Sequence, residues 1–370
     1  MKLIQKVTNN RYSSFFSRRM IRLSGVLLLI LLLLTNVSTS IFPFSIFLAL
    51  GTPILLLFLF VVCLIEITQQ QKGYFIFIGI YTIILLWKSD ITWNISSTKN
   101  LDQSVSIMSY NVSVFNTYKY LNHDYKESKE LIQWLEKDQT DIYCFQEYYN
   151  SDSITKKENS LFQTNKRLGK DKGYYSYTPP FLTNHIKATF GLGIFSKYPI
   201  IHQAAIPFKE IGGSETNGII YCDIKVDSQK VIRVFNCHFQ SIVLDNGENQ
   251  YTSILDKGIK TLKKIYLGTL LREQQFNLLY QNILNSPYPV IVCGDFNEPP
   301  SAYGYSLINK KLTNSFNNAG QGLGYTLRDL PFRIDQVFHS TSQLKSIDFK
   351  VFSENKLSDH YPIRTRITYE

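Results

Sequence analysis

No aspartate or glutamate precedes Glu66 in this chain, and residues 23–87 hold no charge besides Glu66 and Lys72. Charged residues make up only 18% of the 370 and hydrophobic ones 44%, which excludes a chain kept disordered by low hydrophobicity and high charge. Cysteine is scarce as well. Cys63 lies in an apolar run, while Cys144, Cys222, Cys237 and Cys293 sit in or beside strand-like runs (DIYCF, IIYCDI, VFNCHF, VIVCGD) with no CxxC pair and no Cys/His zinc spacing. The thiols therefore read as buried, reduced core residues, since free cysteine packs as a small hydrophobe.

The formal net charge of +10 would point to nucleic acid if it were spread over a folded domain. It is not spread. Lys2, Lys6, Arg11, Arg18, Arg19, Arg22, Lys72 and Lys88 all precede Ser89, against the single acid Glu66, so residues 89–370 carry 31 basic and 28 acidic side chains. The basic excess belongs to the leader, residues 1–22. Three apolar stretches follow within 23–88: Leu23 to about Leu34, Ile41 to about Ile67, and Gly73 to Trp87. They are expected to form about three transmembrane spans, the third made adequate by a snorkelling Lys72 and by Trp87 and Trp93 in the headgroups. Small polar residues after the first stretch also allow a cleaved signal peptide there. The basic leader stays in the cytoplasm, and counting three crossings puts the C-terminal domain on the outer face of a bacterial inner membrane, whereas a third stretch that is re-entrant or a buried helix leaves the domain in the cytoplasm. Residues 89–104 read as a polar linker.

From Val105 to the end the chain alternates short apolar runs with amphipathic stretches, among them KESKELIQWLEK at 126–137 and a long helical stretch around Leu262 to Leu284. This is a mixed α/β pattern, too strand-rich and irregular for a simple doubly wound parallel sheet. Polar residues punctuate it: Asn111, Glu147, His238, Asp295 with Asn297, Asp335, and Asp359 with His360 all fall at or just beyond the end of a strand-like run. Each alone has an ordinary reading as a turn, cap or solvated residue. Together they are able to meet at one sheet edge. Carboxylates and amide oxygens suit a hard divalent cation, Mg²⁺ or Mn²⁺, rather than zinc. A histidine beside an aspartate, with another aspartate to hold its ring, is an acid/base arrangement. A second histidine and an asparagine can donate to phosphoryl oxygens. These parts describe phosphate-ester hydrolysis.

The strings SYN (109–111), QE (146–147), GIFSKYPI (193–200), NCH (236–238), GDFNEPP (294–300), RID (333–335) and SDHYPI (358–363) resemble those of the endonuclease/exonuclease/phosphatase superfamily, which has the fold of pancreatic deoxyribonuclease. The resemblance covers Val105 to Thr368. It implies a four-layered α/β sandwich of two mostly antiparallel sheets with outer helices, here preceded by the membrane region. By the same resemblance Glu147 is the main metal ligand, supported by Asn111 with Asp359 nearby. Asp295 orients or deprotonates the attacking water, Asn297 holds the scissile phosphate, Asp335 pairs with the acid/base His360, and His238 donates to a phosphate oxygen.

Departures from the family pattern narrow the substrate. The abasic-site repair branch has an acid two positions after the motif asparagine, where this chain has Ser113. That, the modest domain charge and the expected outward membrane location turn the expectation away from DNA repair, and the short tether, which keeps the site near the bilayer, turns it towards a lipid headgroup or small metabolite. An exported nuclease would show the same catalytic set, and a catalytically silent binding module would lack a ligand or the acid/base histidine, yet every matched position is intact. Nucleic acid is expected only as a substrate. Gln336 follows the RID aspartate where many relatives have an aromatic. His123, His185, His202 and His339 match no motif position. Arg272 in LLREQQ resembles an arginine often seen on the helix before GDFN in this superfamily and reads equally as a helix-surface ion-pair partner of Glu273 or a neighbour, and GQGLGY (320–325) reads as a turn ahead of the RID strand.

Overall fold

The computed structural model describes residues 19–69, 74–88, 91–94, 103–122, 125–152, 157–211, 215–241 and 254–369. Most of the basic leader, the turn at 70–73, His123 and much of the linker and of the loops near 155 and 245 lie outside the described residues. The chain divides into two compact units, residues 1–91 with 301–303, and residues 92–300 with 304–370.

The first unit is helical: α1 (residues 19–34), α2 (Ser45–Leu50), α3 (Thr52–Gln69) and α4 (Tyr74–Lys88). Leu32, Leu59, Val62, Cys63 and Tyr81 form its buried seam. The expected run of spans is corrected here: among the described residues no helix is long and apolar enough to cross a membrane. The stretch expected to cross between Ile41 and Ile67 is broken at Gly51, which caps α2. Pro53, which lacks an N–H, then sits in the first turn of α3, where none is needed. The 18 residues of α3 rise only about 27 Å and the 15 of α4 about 22 Å, against a hydrocarbon core of about 30 Å.

The second unit begins with β1 (Thr92–Trp93), β2 (Ser104–Asn111), α5 (Lys126–Lys137), β3 (Ile142–Asn150), β4 (Tyr175–Tyr177), β5 (Pro180–Thr183), β6 (Thr189–Ser196), β7 (Ile200–Pro207), β8 (Gly218–Lys225) and β9 (Val231–His238). It continues with α6 (Ile254–Leu284), β10 (Val290–Asp295), α7 (Tyr303–Ile308), β11 (Leu312–Asn314), α8 (Ser315–Ala319), β12 (Gln321–Gly322), β13 (Asp335–Ser340), β14 (Leu344–Val351) and β15 (Ile363–Tyr369). One sheet runs β11-β13-β10-β9-β8-β7. The other runs β14-β15-β2-β3-β6-β4, with β5 also on β6. Within each, one central pair is parallel, β9 with β10 and β2 with β3, and the rest are antiparallel.

Strand alternation explains the layering. Ile107 and Cys144 point with Ile220, Val234, Ile291 and Cys293 into a core shared by both sheets. Their neighbours Met108, Tyr143 and Phe145 point the other way, onto Leu131, Ile132 and Leu135 of α5. On the opposite side Phe276 of α6 stacks on Phe239 with ring centroids 4.1 Å apart and meets Phe296 edge-on. Helix, sheet, sheet, helix is thus the order of layers in this unit. All five cysteines are buried and none is in a disulfide, Cys63 on α3 and the other four on strands.

Candidate active site

Both parallel pairs end at the same edge. Asn111 is the last residue of β2, opposite Gln146 of β3, and Asp295, the last residue of β10, lies opposite His238 at the end of β9. Two expected positions are revised. Asp335 opens β13 rather than following a strand, and antiparallel pairing with β10 is what sets it opposite Asp295. Asp359 and His360 likewise precede β15, whose antiparallel pairing places Ile363 beside Ser109. A strand entering this edge serves the site as well as one leaving it.

Local backbone geometry aims the side chains. Glu147 has φ 47° at an irregularity in the β3–β6 pairing, and Asn297 has φ 52°. Both stand in the left-handed region that side chains disfavour, a strain commonly kept at functional sites. Starting two positions after Asn111, the four residues Ser113 to Asn116 all have φ between 45° and 57°. Four consecutive left-handed residues cost about 1–2 kcal/mol each. In return the Ser113 N–H donates to Asn111 Oδ1 at 3.0 Å, and Asn116 Nδ2 donates to the Leu357 carbonyl at 2.7 Å, just ahead of His360.

The side chains form one connected cluster. Asn111 Nδ2 lies 3.2 Å from Glu147 Oε1 and 3.1 Å from Asp295 Oδ2. With its oxygen taken by Ser113, Asn111 presents its nitrogen to the carboxylates and so bridges them as a donor. His360 Nδ1 is 2.8 Å from Asp335 Oδ2, and its Nε2 is 3.7 Å from Asp295 Oδ2. His238 Nε2 approaches the same Asp295 oxygen at 3.6 Å and Glu147 Oε1 at 3.9 Å. The Ser358 hydroxyl lies between the Asn111 carbonyl at 2.8 Å and Asp359 Oδ1 at 3.1 Å. Asn297 donates from its backbone to Asp295 Oδ1 and from Nδ2 to the Phe239 carbonyl.

Burial and charge set the protonation. Burial works against a charged His360, but the carboxylates of Asp335 and Asp295 outweigh it and push the imidazole up to about 10. Burial holds His238 below its usual value despite Asp295. It also raises Asp295, with His360 opposing, and raises Glu147, where the Asn111 hydrogen bond opposes and the nearby Asp359 adds. These opposite shifts favour an imidazolium at His360 and a neutral ring at His238.

These residues fit a hard divalent cation. Four carboxylates converge here, and the buried Asp335 Oδ1 has no hydrogen-bond partner among the described residues. Ligand atoms of Asp295, Asp335 and His360 come within 4.8 Å of one another. That trio differs from the expected set of Glu147, Asn111 and Asp359. Because Asp335 and His360 are already bonded to each other, the partly exposed Glu147 and the exposed Asp359 are the carboxylates left open to a cation.

Several residues gain a structural account. Gln336 is buried and bonded to Asn314 and the Arg333 carbonyl, on the opposite face of β13 from its neighbour Asp335. His202 contacts Tyr221, and His339 contacts the Ser340 carbonyl at the far end of β13. The reading of Arg272 as a surface residue is wrong: it is fully buried and faces Glu298, Nε to Oε2 3.5 Å. Within 320–325, Gln321–Gly322 pairs as β12 with β1. Sequence reasoning also passed over Gln146, Asn236 and Glu298, although each lies inside or beside a motif string.

Residues 91–360 match the model of the Endonuclease/Exonuclease/phosphatase family, and the chain belongs to that family of phosphoester hydrolases. A sphingomyelinase of Dictyostelium discoideum is 25% identical over 199 residues, covering 48% of this chain and 43% of the relative. The chain thus matches less than half the length of that relative. Among solved structures, a family member from Bacteroides vulgatus superposes with a TM-score of 0.53 at 17% identity over 73% of this chain and 100% of the other. The human nocturnin catalytic domain does so with 0.51 at 19% identity, over 72% and 94%. Both support the fold.

Proposed function

We propose that this chain is a divalent-metal-dependent phosphoric ester hydrolase held at a membrane, acting on a lipid headgroup or a small phosphorylated metabolite. The observation that carries the reading is the Asp335–His360 pair, whose Nε2 faces Asp295 inside a ring of buried polar residues. Asp335 holds His360 by Nδ1, so the proton on Nε2 points at the reacting centre, and an imidazolium there is suited to protonate the leaving oxygen as general acid. Asp295, raised by burial and held by Asn111 and the Asn297 backbone, orients the attacking water and takes its proton. Neutral His238 and the remaining N–H of the Asn297 amide donate to the phosphoryl oxygens as charge builds. Mg²⁺ or Mn²⁺ would be held by Glu147, with Asp359 and Asn111 beside it, and when bound would polarise a phosphoryl oxygen.

Two observations support a membrane substrate. The curated relative is named a sphingomyelinase. In the first unit Leu23, Leu27, Ile30, Ile54, Leu57, Phe58, Ile76 and Ile83 are exposed, an apolar surface of the kind that meets lipid or a partner. Export followed by attachment of the apolar surface of residues 19–88 to the outer leaflet, without a crossing helix and with the second unit on the extracytoplasmic side, belongs to this proposal. The protein should resist salt extraction, dissolve in detergent, and lose its second unit to protease added to spheroplasts but not to intact cells.

The deciding assay is hydrolysis by the full chain in detergent of sphingomyelin vesicles, p-nitrophenyl phosphate, bis-p-nitrophenyl phosphate and plasmid DNA, with Mg²⁺, Mn²⁺ or EDTA. Metal-dependent turnover that prefers lipid or a small ester is expected. A preference for plasmid would replace the substrate class with nucleic acid, and a folded chain that turns over none of them would be a binding module.

A further inference from the structure

His238 and His360 are oriented in different ways. Asp335 grips His360 by the ring. His238 has no such partner: its buried Nδ1 makes no hydrogen bond to any described residue, and its Nε2 stays 3.6 Å or more from the carboxylates it faces. The direction of its ring is therefore set by packing and by the backbone that follows it.

That backbone is held at every polar group. The Phe239 N–H donates to the Asp295 carbonyl at 3.0 Å, and the Phe239 carbonyl accepts from Asn217 Nδ2 at 2.7 Å and Asn297 Nδ2 at 3.0 Å. At Gln240 both backbone groups are taken by one helix. Gln275 Oε1 accepts the Gln240 N–H at 2.9 Å, and Arg272 Nη1 donates to the Gln240 carbonyl at 2.7 Å. Arg272 and Gln275 stand three positions apart on α6, hence on one face, and both are fully buried. Arg272 is itself locked, with Nη2 on Thr269 Oγ1 at 2.8 Å and Nε facing Glu298, whose Oε1 accepts the Gly304 N–H. A buried guanidinium needs an acid partner and filled donor sites to be tolerated. Here one of those donors, Nη1, binds the segment leaving β9.

We propose that Arg272 and Gln275 are positioning residues for His238, doing through the Gln240 backbone what Asp335 does for His360 through a ring nitrogen. The proposal rests on the hydrolase reading in taking His238 as the donor to the phosphoryl group. Neither residue reaches the site, so both act on how His238 is aimed and leave the other substrate contacts alone. A misaimed donor weakens the transition state more than the ground state, which lowers kcat and spares KM.

The test is a double-mutant cycle on the full chain, with bis-p-nitrophenyl phosphate and Mg²⁺, using Gln275→Leu, Arg272→Lys and His238→Ala. Gln275→Leu and Arg272→Lys should each lower kcat about tenfold with KM within twofold. In the His238→Ala background each should cost less than a further twofold. Losses that repeat in full in that background, or folded variants with unchanged kcat, would overturn the proposal. An arm independent of turnover uses histidine-labelled protein: Gln275→Leu, which removes a single hydrogen bond, should shift the His238 ring signals and leave those of His185 and His202 in place. A wild-type chain without hydrolase activity would sink the hydrolase reading, whereas unmoved His238 signals would sink the positioning role on their own.

Discussion

The side-chain amides of Gln146 on β3 and Asn236 on β9 meet at 2.6 Å across the buried interface between the two sheets. Asn236 also donates from Nδ2 to the carbonyls of Phe145 and Gly193, at 2.9 and 3.0 Å, on the far sheet. Both side chains are fully buried, one residue from Glu147 and two from His238. The crosslink fixes the spacing of the sheets where each delivers a site residue. Asn236→Ala removes three buried hydrogen bonds, to the Phe145 and Gly193 carbonyls and from Gln146 Nε2, so unfolding in denaturant should show a loss of about 2–4 kcal/mol. The double variant Gln146→Leu with Asn236→Leu should lose less than the sum of the two singles.

The His360 charge should appear in the pH dependence of stability. Its folded value of about 10 lies above its ordinary 6.5, so the pairing with Asp335 and Asp295 contributes fully below about pH 6.5. As pH rises towards 10 the unfolded chain releases the proton first and the contribution disappears. Denaturant unfolding in chelator, comparing wild type with His360→Gln, should show a difference on the order of 3 kcal/mol at pH 6 that closes by pH 10. A constant difference would mean that the imidazole folds neutral.

Catalysis should depend on the same pair. His360→Ala is expected to lower kcat by about 10³ and Asp335→Asn by at least 10², with intact circular dichroism spectra. Asp335→Asn keeps a hydrogen-bonding group on Nδ1 but removes the charge, and so separates orientation from electrostatics.

Removal of metal provides a third check. EDTA should abolish turnover, and Mg²⁺ or Mn²⁺ should restore it to wild type but not to Glu147→Ala. Glu147→Gln, which keeps the shape but removes the charge, should need far more metal for half-maximal activity.

Gly294 answers to packing rather than chemistry. Its φ of 143° suits glycine, and a Cβ there would overlap the Cys237 carbonyl of the neighbouring strand. Gly294→Ala should therefore destabilise by more than about 3 kcal/mol and lower the thermal midpoint by many degrees, although the residue bears no functional group.

Strand ends were legible in the sequence because a buried strand must be apolar and the site must be polar, so Asn111, His238 and Asp295 stand out where one gives way to the other. Asp335 and His360 were found by motif, but their position at strand entrances was not, since antiparallel pairing cannot be read from one strand alone. Arg272 misled because a charged residue on an amphipathic helix ordinarily faces water, and its partner Glu298 lies 26 positions away. Hydropathy was similarly blind at the N-terminus: it counts apolar residues without registering that Gly51 and Pro53 divide one apolar stretch into two helices. The left-handed turn at 113–116 has no sequence signal, since Val114 and Phe115 are poor candidates for that conformation.

The buried thiols bear on how the protein can be handled. Burial pushes Cys144, Cys222 and Cys237 above the ordinary thiol range, so in the folded domain they are slow to form thiolate and out of reach of oxidants. Unfolding releases these thiols, together with Cys293, into solvent, where in air they can bridge in pairings the native sheets cannot accommodate. Refolding should consequently be reversible with a reductant and irreversible without one. A chain that folds outside the cytoplasm must bury these strands faster than its surroundings oxidise them.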